Sequence, residues 1–149
     1  MKGLDFKPNI LSGEYIIEQG VCYNDDFFQD DWQIGPLYDK DPELGGKPFT
    51  GLLYKFYNNT LIYYQFFKDG FAEGEHVRFY KTGELESYCF WKTDSSGKIT
   101  YASRTYTWFK NGKLKSFREV DEKKKCVNGI RYDERGDIVF LVEDGIAKV

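Results

Sequence analysis

Short hydrophobic segments separated by turn signals fill the chain from residue 48 onwards. Segments such as 52–57 and 104–109 are rich in aromatic and β-branched residues and are too short for stable helices. Between such segments stand dipeptides containing Asn or Gly, which supply the positive φ angles that tight hairpin turns need. They lie at 58–59, 69–70, 82–83, 96–97, 111–112, 128–129, 135–136 and 144–145. The pattern predicts an antiparallel meander with a chain reversal at each of these positions.

Alternation within the strands predicts which side chains share a face. Val77 and Phe79 fall on one face of their strand, whereas Arg78 and Tyr80 fall on the other. Both faces therefore carry large rings. We expect a thin sheet covered by long aromatic and charged side chains, without a second layer of helices.

One short unit recurs along this array. Residues 79–85 and 108–114 match position for position: two aromatics, a two-residue spacer, glycine, a charged residue and leucine. Residues 56–61 form a shorter copy, and residues 132–138 form a degenerate fourth copy. A single hairpin is marginally stable in water, so repeats of this kind are expected to stack edge to edge and share one apolar face.

The first third of the chain has a different character. It holds all four prolines, Pro8, Pro36, Pro42 and Pro48, and proline cannot donate to a sheet ladder. We therefore predict one domain over residues 1–149. Residues 1–47 form a less regular N-terminal segment with one or two strands, around 14–18 and 21–23, and residues 48–149 form the β-hairpin repeats. The predicted fold class is all-β, an elongated antiparallel meander of tandem β-hairpin repeats.

Composition and charge restrict the functional classes. Aromatic residues make up 19% of the chain, which favours strands over helices. The net charge of -3 argues against a nucleic-acid partner and against docking on anionic lipid. Cys22, Cys89 and Cys126 form no C-x-x-C pair, so neither a disulfide framework nor a metal site is expected, and no cofactor is implied. Asp5 and Lys7 interrupt the region where a signal peptide needs an apolar core, and a cytoplasmic location is expected.

Residues 46–118 resemble a known family. Gly46-Lys47-Pro48-Phe49-Thr50-Gly51, followed by Phe56-Tyr57, is similar to the opening of the repeats in bacterial YwqK-type antitoxins, a divergent branch of the MORN-repeat proteins. The segments 67–70, 74–75, 79–80 and 83–85 continue the same pattern. The resemblance implies a run of MORN-like β-hairpins and a role in neutralising a toxin. It implies no particular functional residue, because the repeat positions are structural.

The segment 24–32 is the most distinctive local feature outside the repeats. It interleaves four aspartates with three aromatic residues: Asp25, Asp26, Phe27, Phe28, Asp30, Asp31 and Trp32. Carboxylates can occupy a cationic pocket in which a nuclease toxin would hold phosphate, and an exposed aromatic ring can anchor an interface. We predict these residues as the partner-binding site. The alternative interpretation is a solvated loop whose rings cap one end of the sheet.

Candidates for catalysis are weak. The only histidine, His76, lies beside Glu73 and Glu75, but Glu75 points to the opposite face of a strand, and His76 is expected to be a surface side chain. Glu84 and Glu86 share a strand face, yet they follow a hairpin turn and are expected to face water. No nucleophile elbow, phosphate-binding loop or metalloprotease motif occurs in the sequence. We therefore predict no catalytic residues and no enzyme activity.

Two functional hypotheses remain open, together with a weaker third. The leading one is an antitoxin or immunity protein that neutralises a cognate bacterial toxin by direct protein binding, as a monomer or a dimer. The alternative is a MORN-like scaffold that joins proteins or touches an envelope surface. A hydrolase that uses Glu73, His76 or the pair Glu84 and Glu86 would need a concave pocket around these side chains.

Overall fold

The computed structural model describes residues 1–29 and 35–148. Within these ranges one short helix, α1 (Gly13–Gln19), and one 3-10 helix (Pro42–Leu44) accompany the strands. The strands are β1 (Val21–Cys22), β2 (Phe28–Gln29), β3 (Leu37–Tyr38), β4 (Gly51–Tyr57), β5 (Thr60–Lys68), β6 (Phe71–Phe79), β7 (Leu85–Thr93), β8 (Thr100–Trp108), β9 (Leu114–Val120), β10 (Cys126–Tyr132), β11 (Ile138–Glu143) and β12 (Ile146–Ala147).

One open sheet contains most of these strands. Its order is β1-β4-β5-β6-β7-β8-β9-β10-β11-β12, so that β4 to β12 are neighbours in space in the order in which they occur in the chain. β1 runs parallel to β4, and the other neighbouring pairs are antiparallel. β2 and β3 form a separate antiparallel pair. The predicted fold class, an all-β elongated antiparallel meander, is therefore confirmed.

Two kinds of turn join the strands. Asn58 and Asn59 both adopt positive φ angles, of 47° and 63°, in the two-residue turn between β4 and β5. The longer turn between β6 and β7 closes with two hydrogen bonds, from the Tyr80 amide to the Glu84 carbonyl and from the Gly83 amide to the Tyr80 carbonyl, both 2.8 Å. The same bonding pattern recurs in the turns that begin at residues 109, 121 and 133. Each has its fourth residue in the left-handed region, which favours glycine.

The recurring sequence unit corresponds to the base of a hairpin. Its aromatic residue and its leucine are direct partners across the turn, as in Phe79 with Leu85 and Trp108 with Leu114. All four of these side chains contribute to or pack against the main hydrophobic core. The repeat therefore fixes a turn together with an apolar pair that closes it.

Two local predictions were wrong. The pair Asn128-Gly129 lies inside β10, and the reversal occurs at residues 121–125 instead. A Cβ on Gly129 would lie 3.1 Å from Cε1 of Phe140, so the glycine permits a close approach between strands.

Residues 14–18, expected as a strand, belong to α1. The Ser12 hydroxyl caps that helix by accepting from the Tyr15 amide, and Ile16 on its inner side is fully buried.

One face of the sheet carries a continuous apolar row. Each strand from β4 to β11 contributes one side chain, and each is the register partner of the next. The row consists of Tyr54, Tyr64, Val77, Tyr88, Tyr106, Phe117, Ile130 and Leu141, all buried or half-buried. We call this the covered face.

Residues 1–20 lie across the covered face and are called the strap. The Phe6 ring packs on Tyr106 and Tyr88, with centroid separations of 4.6 and 5.1 Å. Further along, the Leu11 amide donates to the Tyr64 hydroxyl at 3.2 Å, and α1 packs against β4. The expectation that the sheet's own long side chains cover it was thus wrong for this face, because the strap lies over it, mostly as non-helical chain with α1 as its helical part. The predicted facing of Val77 and Phe79 toward one side, with Arg78 on the other, is confirmed.

The opposite face, called the open face, carries two further rows. The first is Lys55, Tyr63, Arg78, Ser87, Thr107, Ser116, Arg131 and Phe140, and the second is Leu53, Gln65, His76, Cys89, Thr105, Arg118, Gly129 and Val142. Leu37 and Phe49 pack over this face at its β4–β5 end and bury Leu53 there. Towards β6–β10 its arginine side chains are exposed.

Candidate functional site

A second, smaller core holds the predicted binding segment against the sheet. It is built from the buried side chains of Leu37, Phe49 and Leu53. Two backbone hydrogen bonds of 2.8 Å join this core to the β5–β6 turn, from the Leu37 amide to Gly70 and from the Gly70 amide to Phe49, and a third of the same length runs from the Phe49 amide to Leu37. Gly70 has a φ of +86°, and a Cβ there would lie 2.5 Å from Cβ of Pro36. This turn therefore requires glycine, and it holds Leu37 and Phe49 in place, so that Phe27 of the segment can pack against Phe49.

The predicted site residues separate into inward-facing and outward-facing groups. Phe27 stacks on Tyr23 and meets Phe49 edge-on, each at 5.5 Å between centroids, so its ring caps this end of the sheet. Phe28 is half-buried beside Tyr38. Asp25 and Asp26 are exposed in a turn that the Asn24 side chain closes by accepting from the Asp26 amide at 2.8 Å. Asp30, Asp31 and Trp32 lie outside the described residues.

The structure brings further acidic side chains to Asp25 and Asp26. Asp39 and Asp41 line the same open hollow of about 670 Å³, together with Lys40 and Leu44. We call the four aspartates and Leu44 the acidic corner. Leu44 is 73% exposed, on a 3-10 helix that has no buried residue. The corner therefore combines negative charge with one protruding apolar side chain.

Local turns position the residues that sequence reasoning did not select. The Asp41 carboxylate accepts from the Glu43 amide at 2.9 Å and caps the 3-10 helix, whose first residue is Pro42. The Asp39 carboxylate accepts from the Lys47 amide at 2.9 Å. The Asp-Pro pair at 41–42 is a recognisable signal for the start of a helical turn. It gives no indication that this turn meets the segment 24–28.

The catalytic candidates do not come together. His76 lies on the open face and Glu75 on the covered face, where burial and the nearby Glu75 carboxylate raise the pKa of the Tyr88 hydroxyl. Glu84 is exposed at a turn, where a hydrogen bond from the Thr82 hydroxyl lowers the pKa of its carboxyl. Among residues 1–29 and 35–148, no three His, Cys, Asp or Glu side chains are grouped so that they could hold a metal ion.

The lone histidine is not a surface side chain, which corrects the expectation from the sequence. Its Nε2 atom is buried and has no hydrogen-bond partner among the described residues. Burial and, as the smaller cause, the nearby Arg78 guanidinium together lower the pKa of the imidazole from 6.5 to about 4. The ring packs edge-on against Tyr63 at 6.1 Å, so His76 is a neutral part of the packing between β5 and β7.

The cysteines remain unpaired. Cys22 is exposed, while Cys89 and Cys126 are half-buried. Burial raises the pKa of the Cys89 thiol, and the sulfur lies 3.4 Å from the Thr105 hydroxyl. A thiol with a raised pKa is a poor nucleophile at neutral pH.

Comparison with known proteins gives no further assignment. Searches of protein-family models, of curated proteins and of solved structures returned no match to this chain. In the part of the chain that the structure describes, no helix has both the length and the apolar character that crossing a membrane requires.

Proposed function

We propose that this protein neutralises a bacterial toxin by binding it directly and without catalysis, in the cytoplasm. The observation that carries the proposal is the acidic corner: four carboxylates around a hollow, three of them on exposed residues, with an exposed leucine at its edge and the half-buried Phe27 ring packed on Phe49 beside them. The resemblance of residues 46–118 to YwqK-type antitoxins supports the same role.

The acidic corner is complementary to a partner with a cationic surface. Asp25, Asp26, Asp39 and Asp41 create a negative potential that attracts a cationic surface, such as a pocket that holds phosphate in a nuclease. An exposed leucine next to such charges can enter an apolar depression of the partner and exclude water from the contact. Because the Phe27 ring is packed between Tyr23 and Phe49, the corner needs little ordering when it binds.

Growth rescue tests the proposal. The protein is co-expressed in a bacterial host with the toxin encoded beside its gene, and direct binding is measured with the purified pair. The triple variant Asp25→Asn/Asp26→Asn/Asp39→Asn removes three charges, while the asparagine side chains can still accept the local hydrogen bonds. We expect it to weaken toxin binding by about a hundredfold, in the range measured when close charge pairs across an interface are removed.

The matched control is Glu134→Gln/Asp137→Asn/Asp144→Asn. It removes the same number of charges from exposed turns at the other end of the sheet. Rescue by this control and loss of rescue by the corner variant would support the proposal. Equal rescue by both would exclude the corner as the site, and binding without any growth rescue would favour the MORN-like scaffold.

A further inference from the structure

The two rows of the open face carry positively charged side chains and no negatively charged ones. Its two rows contain Lys55, Arg78, Arg118 and Arg131 and no carboxylate, although the whole chain has a net charge of -3. The three arginines are exposed. None of these four cations forms an ion pair with a described residue, since the ion pairs of the described chain involve Arg135 alone. Their charge is therefore available to a partner.

Hydroxyl groups fill the space between two of the arginines. Ser87, Thr107 and Ser116 stand between Arg78 and Arg131 in the first row, one on each intervening strand. With a strand spacing of about 4.8 Å, this part of the row is about 19 Å long. The Thr107 and Ser116 hydroxyls lie 2.5 Å apart and hydrogen-bond to each other. This part of the row is therefore a line of hydroxyl groups with an arginine at each end.

A shallow hollow of about 300 Å³ lies beside Arg118 on the same face. Trp91, Thr105 and Lys124 contribute to its lining along with Arg118. The indole Nε1 of Trp91 is buried and lacks a hydrogen-bond partner among the described residues. Two cationic side chains and a hydroxyl around one depression suit a carboxylate.

We infer that the open face, across β6 to β10, binds an acidic surface of a partner protein. Carboxylates of that surface pair with Arg78, Arg118 and Arg131, and one of them occupies the hollow beside Arg118. This inference deepens the proposed function and rests on it, because it assigns the toxin a second, acidic region besides the cationic one that faces the acidic corner.

The arrangement of the rings favours a protein over a single-stranded nucleic acid. The Arg78 guanidinium lies over the Tyr63 ring at 5.7 Å, and that of Arg131 lies over Phe140 at 5.9 Å. Bases stack on unoccupied aromatic faces in proteins that bind single strands. Here the arginines already occupy those faces, while their N–H edges can still donate to carboxylates.

Fluorescence anisotropy with a short labelled poly-glutamate peptide tests the inference on the full chain at low salt. We expect the peptide to bind and the triple variant Arg78→Gln/Arg118→Gln/Arg131→Gln to raise its Kd by about tenfold or more. The charge-matched control Lys98→Gln/Lys113→Gln/Lys148→Gln, at exposed positions away from the two rows, should change the Kd by less than about twofold.

Three results would overturn the inference. One is that the peptide shows no arginine-dependent binding, either because it does not bind or because both variants bind it equally. Another is tighter binding of an oligothymidine of matched charge, which would indicate a nucleic-acid surface. The third is self-association in sedimentation velocity that the arginine variant abolishes, which would show that a second copy of this chain covers the face.

The same variants separate this inference from the proposed function. If the wild-type protein rescues growth but poly-glutamate binding is insensitive to the arginines, the acidic-partner inference fails while the antitoxin role stands. If poly-glutamate binding depends on the arginines but growth is not rescued, the inference that the open face binds carboxylates stands and the proposed antitoxin role fails.

Discussion

The covered and open faces are built from the same strands and differ in almost every physical property. On the covered face, Tyr88, Tyr106 and Phe117 form part of a buried row beneath the strap. Their neighbours in sequence on the open face are exposed or half-buried, and include Thr105 and Arg118. A single open sheet can thus draw its stability from one face, which leaves the residues of the other face free to serve binding.

The difference between the faces predicts that truncation of a phenylalanine to alanine lowers the free energy of unfolding more on the covered face than on the open face. Phe117 is 4% exposed and Phe140 is 36% exposed. Phe117→Ala should lower the free energy of unfolding by about 3–5 kcal/mol, since it leaves a cavity among packed rings. Phe140→Ala should lower it by about 1 kcal/mol, since much of that ring already meets water. Urea denaturation of both variants measures the difference, and equal losses would contradict this division of roles.

His76 is the exception among the charged and titratable side chains of the open face, because its residue is half-buried and its Nε2 atom is fully buried. Its surroundings are Arg78 on the same strand, Tyr63 and Gln65 on β5, and Cys89 on β7. The pKa of about 4 in the folded protein lies below the value of 6.5 in the unfolded chain. Between these values the unfolded state binds a proton that the folded state does not, so stability falls as the pH drops from 6.5 towards 4.

We expect the titration of His76 to lower the free energy of unfolding by about 3 kcal/mol between pH 6.5 and pH 4. Urea denaturation at a series of pH values measures it, with His76→Phe as the control that keeps a ring but cannot titrate. Carboxylates also titrate near pH 4, so the relevant quantity is the difference between the two profiles. A difference that stays constant from pH 7 to pH 4 would show that the imidazole is charged or solvated.

The strap packs over the covered face and shields its apolar row from water. The Phe6 ring contacts Tyr88 and Tyr106, whereas the neighbouring Ile10 side chain is 42% exposed. Phe6→Ala should lower the free energy of unfolding by about 2 kcal/mol, whereas Ile10→Ala should lower it by less than about 0.5 kcal/mol. Hydrogen exchange gives a second readout: the Leu11 amide, which donates to Tyr64, should lose protection in Phe6→Ala. If both variants behaved alike, the strap would contribute little to the core.

Much of the repeat region could be predicted from sequence because its signals are local. Positive φ angles at Asn59, Gly83 and Gly112 are specified by the residues themselves, and alternation assigned Val77 and Arg78 to opposite faces. The reversal near residue 124 was missed because Lys124 occupies the left-handed position, with a φ of 65°, where related turns have glycine.

The strap and the acidic corner could not be predicted in the same way, since long-range packing creates them. Ile16 and Ile17 are β-branched and favour a strand, but burial of Ile16 against the sheet and the Ser12 cap select a helix. Asp25 was selected from its own segment. Asp41 was not, because its proximity to Asp25 depends on Leu37, which lies between them in the chain and packs with Phe49 in the smaller core.

The smallest effect on stability concerns the arginines of the open face. Arg118 and Arg131 are diagonal neighbours on β9 and β10, because Arg118 faces Gly129 and Arg131 faces Ser116. Like charges at this spacing of about 7–8 Å repel each other weakly. Arg118→Gln should therefore change the free energy of unfolding by less than about 0.5 kcal/mol, in the stabilising direction. Measurement at increasing salt should reduce this gain, because salt screens the repulsion in the wild-type protein.

A loss of more than about 1 kcal/mol in Arg118→Gln, by contrast, would assign this side chain a structural role, since surface substitutions away from packed features rarely cost that much. In that case weaker poly-glutamate binding could follow from damage to the sheet. If the variant is as stable as the wild type and binds the peptide less tightly, folding cannot explain the presence of Arg118. That result would support the inference that Arg118 pairs with a carboxylate of an acidic partner.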